Sequence, residues 1–164
     1  PVISSCVRVS STFTTQGALM TIGAFSSLRI QNRDAIHAVA HQCARISTSF
    51  NAHELSKTLF AFASLADGGS SNSLIIRTSA ISVAQRCVFV ASKFTPQGAS
   101  ATILSLARLG VSDSSILTPV IQRCKTIHSK FTSIELRNIL KVFRLLRICH
   151  LYRYPLSTTL QRIS

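Results

Sequence analysis

At 164 residues the chain is long enough for one domain with a sizeable core, and its 46% hydrophobic content excludes a disordered tail. Lys and Arg number 18 against 5 Asp and Glu, and the net charge of +13 points to a polyanionic partner. Nucleic acid is the first candidate, an anionic protein or lipid surface the other. No uninterrupted apolar run reaches the roughly 18 residues of a membrane span, and without Trp few aromatic platforms are left for base stacking.

Taken in order, residues 1–12 (PVISSCVRVSST) carry Cys6 and Arg8 in helical phase and read as the end of a repeat that began upstream. No initiator Met and no targeting pattern is visible, so a processed or partly represented polypeptide is expected. A phenylalanine followed by a small polar residue and an amphipathic run then recurs at Phe13, Phe50, Phe94 and Phe131, with spacings of 37, 44 and 37 residues. Such a period is the signature of a repeat array. The units are 13–49, 50–93, 94–130 and 131–164, all within one helical-repeat domain over residues 1–164.

Counting from each Phe, position +1 is Thr14, Asn51, Thr95 or Thr132, residues whose side-chain oxygen caps a helix N-terminus. Glu54 and Glu135 three residues later complete capping boxes, and the Phe can staple onto the first turn. Pro96 falls at the first helical position, where its missing N–H costs nothing. The apolar columns are +5, +9 (Ile22, Leu59, Ile103, Leu140), +12 (Phe25, Phe62, Leu106, Phe143) and +15 (Leu28, Leu65, Leu109, Leu146). They trace one buried helix face. Position +11 is slim (Ala24, Ala61, Ser105, Val142), which suits close helix approach.

In the first unit, helix A is expected over about 15–29 and helix B over about 33–47. His37 and His41 lie four apart on helix B; Ala38 stands where a zinc-protease motif needs Glu, so the pair reads as a surface or groove feature. The second unit has helix A over about 52–66 and then a turn-rich stretch, ADGGSSN, at 66–72. Leu65 to Cys87 is seven residues longer than Leu28 to Cys43 or Leu109 to Cys124, an insertion expected as a loop or as two added helical turns. It either meets a partner or is a neutral insertion. In the third unit helix A runs to about Leu109, Gly110 stops it, and helix B covers about 113–129, with Pro119 expected to shift its start or kink it. The fourth unit has the most basic helix A: Arg137, Lys141, Arg144 and Arg147 fall at i, i+4, i+7 and i+10, with Asn138 adjacent. Pro155 then opens a second helix, LSTTLQRIS, and uncapped array ends are expected to need a cover from more chain or a partner.

Cys6, Cys43, Cys87 and Cys124 each precede a repeat Phe by seven residues. One Cys per unit at one structural position reads as a buried small hydrophobe on successive second helices, too far apart for disulfides. Reduced thiols fit an intracellular or matrix compartment. All five acidic residues have structural duties: Glu54 and Glu135 in capping boxes, Asp34 and Asp113 near helix starts, Asp67 in the loop. No carboxylate pair, phosphate-cradling glycine motif or nucleophile–base set remains, so neither an enzyme nor a cofactor is expected.

The unit F-[TN]-x-x-[EG]-[LA], continuing …[IL]-x-x-[FL]-x-x-L, resembles the heptatricopeptide repeat. It is also similar to octotricopeptide repeats and to the helical repeats that precede RAP domains. The resemblance rests on Phe13, Phe50, Phe94 and Phe131 with Leu28, Leu65, Leu109 and Leu146, and covers nearly the whole chain. It implies an all-α, right-handed α-solenoid of stacked helical hairpins, and RNA-binding proteins of the mitochondrial matrix acting in RNA processing, stability or translation. In alveolate parasites with fragmented ribosomal RNA, such repeats look like components of the mitochondrial ribosome. The partners implied are rRNA and neighbouring ribosomal proteins. The candidate RNA contacts are Lys57, Arg108, Arg137, Asn138, Lys141, Arg144, Arg147 and Arg153. Positions +3, +6, +10 and +13 are expected on one surface, which collects Gln16, His53 and Gln97 with Ser56, Ser100, Arg137, Lys141 and Arg144. The charge is not periodic, which favours phosphate-backbone contact over a base code. A protein scaffold inside a large assembly is the competing expectation.

Overall fold

A computed structural model describes residues 2–67 and 73–146. These residues are all-helical: α1 (Val2–Val9), α2 (Thr15–Ser27), α3 (Arg33–Arg45), α4 (Ala52–Ala66), α5 (Ser73–Ala84), α6 (Cys87–Val90), α7 (Pro96–Arg108), α8 (Ser114–Thr126) and α9 (Ser133–Leu146). The second helix expected in the fourth unit and most of the turn-rich stretch lie outside the described residues.

Each Phe sits in the same local device. A 3-10 turn ends one residue before it, its N–H closes that turn, and its own backbone is extended (φ −64, ψ 134 at Phe13; φ −74, ψ 136 at Phe131). The next residue caps the helix: Thr14 accepts from the Gly17 N–H at 3.2 Å, and Thr95 from Gly98 at 3.1 Å. Both expected capping boxes form. Asn51 accepts from the Glu54 N–H at 3.0 Å while Glu54 accepts from the Asn51 N–H at 3.1 Å; Thr132 and Glu135 reciprocate at 3.4 and 2.7 Å.

The helices that follow a Phe pack in succession, α2 on α4, α4 on α7 and α7 on α9. The others follow suit, α1 on α3, α3 on α5 and α6 on α8, with α2–α3, α4–α5 and α7–α8 joining the two layers. Columns +5, +9 and +12 are buried between the layers in α2, α4 and α7. Column +15 divides: Leu65 and Leu109 are buried, but Leu28 is 72% exposed, against expectation. Ala24, at +11 on the same face of α2, is exposed as well. In α4 and α7 the +11 and +15 side chains turn toward the preceding helix of the layer, and α2 has no such neighbour among the described residues.

A polar latch recurs from layer to layer. Gln42 Nε2 donates to the Phe13 carbonyl at 3.0 Å, Arg86 Nε to that of Phe50 at 3.1 Å, and Arg123 Nε to that of Phe94 at 2.9 Å. The carbonyl just outside a helix start has no intrahelical partner, so a long side chain from the second helix satisfies it. Each donor directly precedes a column cysteine. Cys43, Cys87 and Cys124 are free and buried, and burial pushes each thiol up to about 12; Cys6 is half-buried and raised in the same sense.

The insertion in the second unit is distributed. Compared with the third unit, α4 runs two residues further from its Phe, and Cys87 lies four residues further from the first residue of α5 than Cys124 does from that of α8. The α5 helix breaks at Gln85 and Arg86, and α6 follows from Cys87. Residues 73–93 are long and apolar enough, by length and composition, to cross a membrane, a property that the absence of an unbroken apolar run did not anticipate. In the fold this stretch buries Ile76, Ala80, Val83, Ala84, Cys87 and Val90, and its Arg77 Nη1 donates to the Leu109 carbonyl at 2.6 Å.

Gly110 ends α7 as expected, at φ +74, with the Val111 N–H reaching back to the Leu106 carbonyl at 2.9 Å. The equivalent residue after α2 is Arg29, held at φ +52 in the same turn, with Ile30 donating to Phe25 at 2.9 Å. Pro119 does not shift the start of its helix. Asp113 caps α8 just before Ser114, accepting from the Ser115 hydroxyl at 2.7 Å and the Ser115 N–H at 2.8 Å, and these bonds lower its carboxyl pKa. Pro119 lies in the second turn of a helix that continues to Thr126.

Candidate nucleic-acid interface

The outer side of the α2–α4–α7–α9 layer carries two neighbouring grooves. Between α7 and α9 a recess of about 440 Å³ is lined by Leu104, Arg108, Lys141, Arg144 and Leu145. Three of the expected basic residues therefore converge. Lys141 and Arg144 are exposed and, like Arg137 and Lys57, make no ion pair among the described residues. Arg108 differs: both its Nε (2.8 Å) and its Nη2 (2.6 Å) donate to Asp67 Oδ2, and its guanidinium lies 5.9 Å from the centre of the Phe60 ring. This half-exposed pair adds little stability, but it neutralises one cation of the groove and ties the end of α4 to the end of α7.

The expected four-position surface splits. Gln16, His53 and Gln97 at +3 and Lys141 at +10 are exposed on the layer. Ser56 and Ser100 at +6 are buried instead: Ser56 Oγ donates to the Gly98 carbonyl of the next helix at 3.2 Å, and Ser100 Oγ to its own helix at Gln97, 3.2 Å away. Ala63 and Ala107, at +13, are buried too. Columns +6 and +13 thus face the following helix, so Arg137 and Arg144 occupy on α9 the side that α4 turns toward α7. The open face is +3, +7, +10 and +14. Asn138, at +7 of α9, is half-buried. Arg147 and Arg153 lie outside the described residues.

The close approach of α4 and α7 leaves a mark one turn further on. Thr21 and Thr58, at +8, donate to carbonyls four residues back at 2.8 Å each. The equivalent Thr102 is fully buried and its hydroxyl has no partner among the described residues; the Gly98 carbonyl four residues back takes the Ser56 hydroxyl instead.

The second groove, between α4 and α7, was not expected. Its recess of about 310 Å³ is lined by residues including His53, Lys57, Phe60, Lys93, Gln97 and Ala101. Phe60 is 50% exposed there. It was passed over because an aromatic inside an amphipathic run reads as core, although column +10 (Gly23, Phe60, Leu104, Lys141) lies off the buried stripe. Lys93 and Lys130 both directly precede a repeat Phe, a column that carried a readable signal.

On the other layer, His37 and His41 are exposed, their ring centres 6.4 Å apart, beside a recess shared with Ser10, Gln42 and Arg45. Arg45 Nη2 donates to the Ser11 carbonyl at 2.6 Å. No protein-family model matches this chain, and no curated protein matches it.

Proposed function

We propose that this chain is an RNA-binding helical-repeat protein of the mitochondrial matrix, a structural component of the mitochondrial ribosome that holds rRNA by its phosphate backbone. Its helical hairpins form a right-handed α-solenoid, and it binds rather than catalyses. The observation that carries the reading is the convergence of Lys141 and Arg144 with Arg108 in one groove, where Lys141 and Arg144 have no acidic partner among the described residues. Exposed, unneutralised cations that meet phosphates release the counterions condensed on the RNA. The identification of organelle and particle rests on the repeat resemblance.

The test is titration of RNA with the purified chain across a salt series. Binding weakens steeply with salt, and replacing Arg137, Lys141 and Arg144 with Gln flattens the logarithmic slope by about 2, as expected for three lost single-strand contacts. A flat salt response in the unaltered chain sinks the reading. For the ribosomal assignment, the native protein in gentle organelle lysate co-sediments with a ribosome-sized particle that RNase collapses; migration in a small, RNase-resistant complex rules that out.

A protein scaffold is the second reading. Leu74, Ile81 and Val88 recur every seven residues on α5 and α6, exposed by 72%, 48% and 46%, with Phe89 beside them at 71%. An apolar strip of this kind favours a protein neighbour on the layer opposite the cationic grooves.

A further inference from the structure

We infer that the recess between α4 and α7 takes one unpaired nucleotide of a single-stranded RNA, with its base on Phe60 and its phosphate at Lys57 and Lys93. The inference rests on the RNA-binding reading and deepens it. Phe60 is the half-exposed aromatic of this face, and its ring forms one wall of the recess. At about 310 Å³ the space matches the lower end of small-ligand clefts, roughly 300 Å³. Its floor is apolar, from Ala52, Phe94 and Ala101, while two ammonium groups stand on its margin with His53 and Gln97.

That composition discriminates. An apolar peptide side chain would leave two lysines and two polar rims without partners, and a bare phosphate would leave the ring unused. A nucleotide uses all three parts, because every base has a flat face for the ring, a polar edge and a phosphate beside it. A duplex keeps its bases stacked inside and cannot offer one to Phe60. The neighbouring α7–α9 groove has Leu104 where α4 has Phe60, so it holds backbone only. Arg108, over the Phe60 ring and at the edge of the second groove, joins the two sites into one track.

The experiment uses the full chain, a short fluorescent single-stranded RNA and the duplex of the same sequence. Unaltered protein, Phe60→Ala, Phe60→Tyr and the double variant Lys141→Gln/Arg144→Gln are compared, with thermal unfolding confirming that each is folded. Phe60→Ala weakens single-strand binding about 5- to 150-fold, leaves the salt slope unchanged and alters duplex binding less than twofold; Phe60→Tyr restores the affinity. Free mononucleotide at the same concentration as the strand does not compete. If Phe60→Ala binds single strands as the unaltered chain does, or loses duplex equally, the nucleotide site is overturned while the salt-dependent RNA reading stands. Competition by the free mononucleotide overturns the strand as the source of the ligand. If the unaltered chain binds neither RNA, both readings fall.

Discussion

The helices that follow each Phe and the helices that precede the next one both carry cations, but the two layers employ them differently. On the second helices, Arg45, Arg77, Arg86 and Arg123 donate to main-chain carbonyls of neighbouring segments. Those guanidiniums are structural parts, and Arg's fixed fork of donors suits them to reach carbonyls that no helix satisfies. On the first helices, Lys57 and Lys141 stand on the open face and Arg137 and Arg144 on the flank that α4 turns toward α7, all four exposed and without an ion pair among the described residues. Among these eight cations, the second-helix arginines are engaged by the fold, and the first-helix group is left exposed for a polyanion. Arg108 stands between them, on the open face but bound to Asp67.

The contrast can be broken most severely through the second-helix layer by raising the pH. Its three buried thiols are held protonated to about 12, whereas in the unfolded chain they ionise near the ordinary value of 9.0. Their folded pKa is the higher one, so their contribution is intact below pH 9 and is lost as pH climbs toward 12. Each thiol removes about 1.4 kcal/mol of stability per pH unit in that window. Urea unfolding at pH 8, 9.5 and 10.5 measures it, and a Cys43→Ala/Cys87→Ala/Cys124→Ala chain should show a shallower decline.

Next in size is the buried Phe column. Phe94 is 1% exposed, and Phe94→Ala should cost about 3–5 kcal/mol in the midpoint analysis of urea unfolding. The latch itself is smaller: Arg123→Met leaves the Phe94 carbonyl without its donor and should cost about 1–3 kcal/mol, with RNA affinity unchanged. By contrast, the Gln triple at Arg137, Lys141 and Arg144 should alter stability by no more than about 0.5 kcal/mol. A triple that unfolds the protein, or an Arg123→Met that abolishes RNA binding while folded, would erase the distinction.

The smallest effect sharpens the comparison of two turns. Gly110 and Arg29 occupy the same left-handed position after α7 and α2. A non-glycine pays about 1–2 kcal/mol there, and glycine's extra unfolded-state freedom returns about 0.5–1 of it. Arg29→Gly should thus stabilise by a few tenths to about 1 kcal/mol, read as a rise in the thermal midpoint.

Much of this was legible in one dimension. The Phe column, its caps and both capping boxes are local devices, decided by a side chain and a backbone N–H three residues apart, so they appear in the sequence as they do in the fold. Burial of Cys43, Cys87 and Cys124 followed from a spacing that repeats with the helices, while Cys6 in the same column is only half-buried. Three things were not legible. Leu28 matches its column yet is exposed, because burial there depends on a preceding helix rather than on α2 itself. Pro119 left the helix start in place because the Asp113 cap, nearly two turns earlier, already sets it. The latch joins residues 29 to 36 apart and has no local signature.

The open face was the largest of these limits. A helix rotates about 100° per residue, so hydrophobic periodicity identifies the side that must be buried but leaves two polar flanks of equal standing. Ser56 and Lys57 are adjacent in sequence, yet Ser56 is sealed against Gly98 of α7 and Lys57 faces outward. The amino-acid sequence determined that the chain is helical, where its first helices begin and that it is strongly basic. Which cations remain available, and that Phe60 stands among them, was decided only when one helix was laid against the next, because that contact selects the flank to be covered.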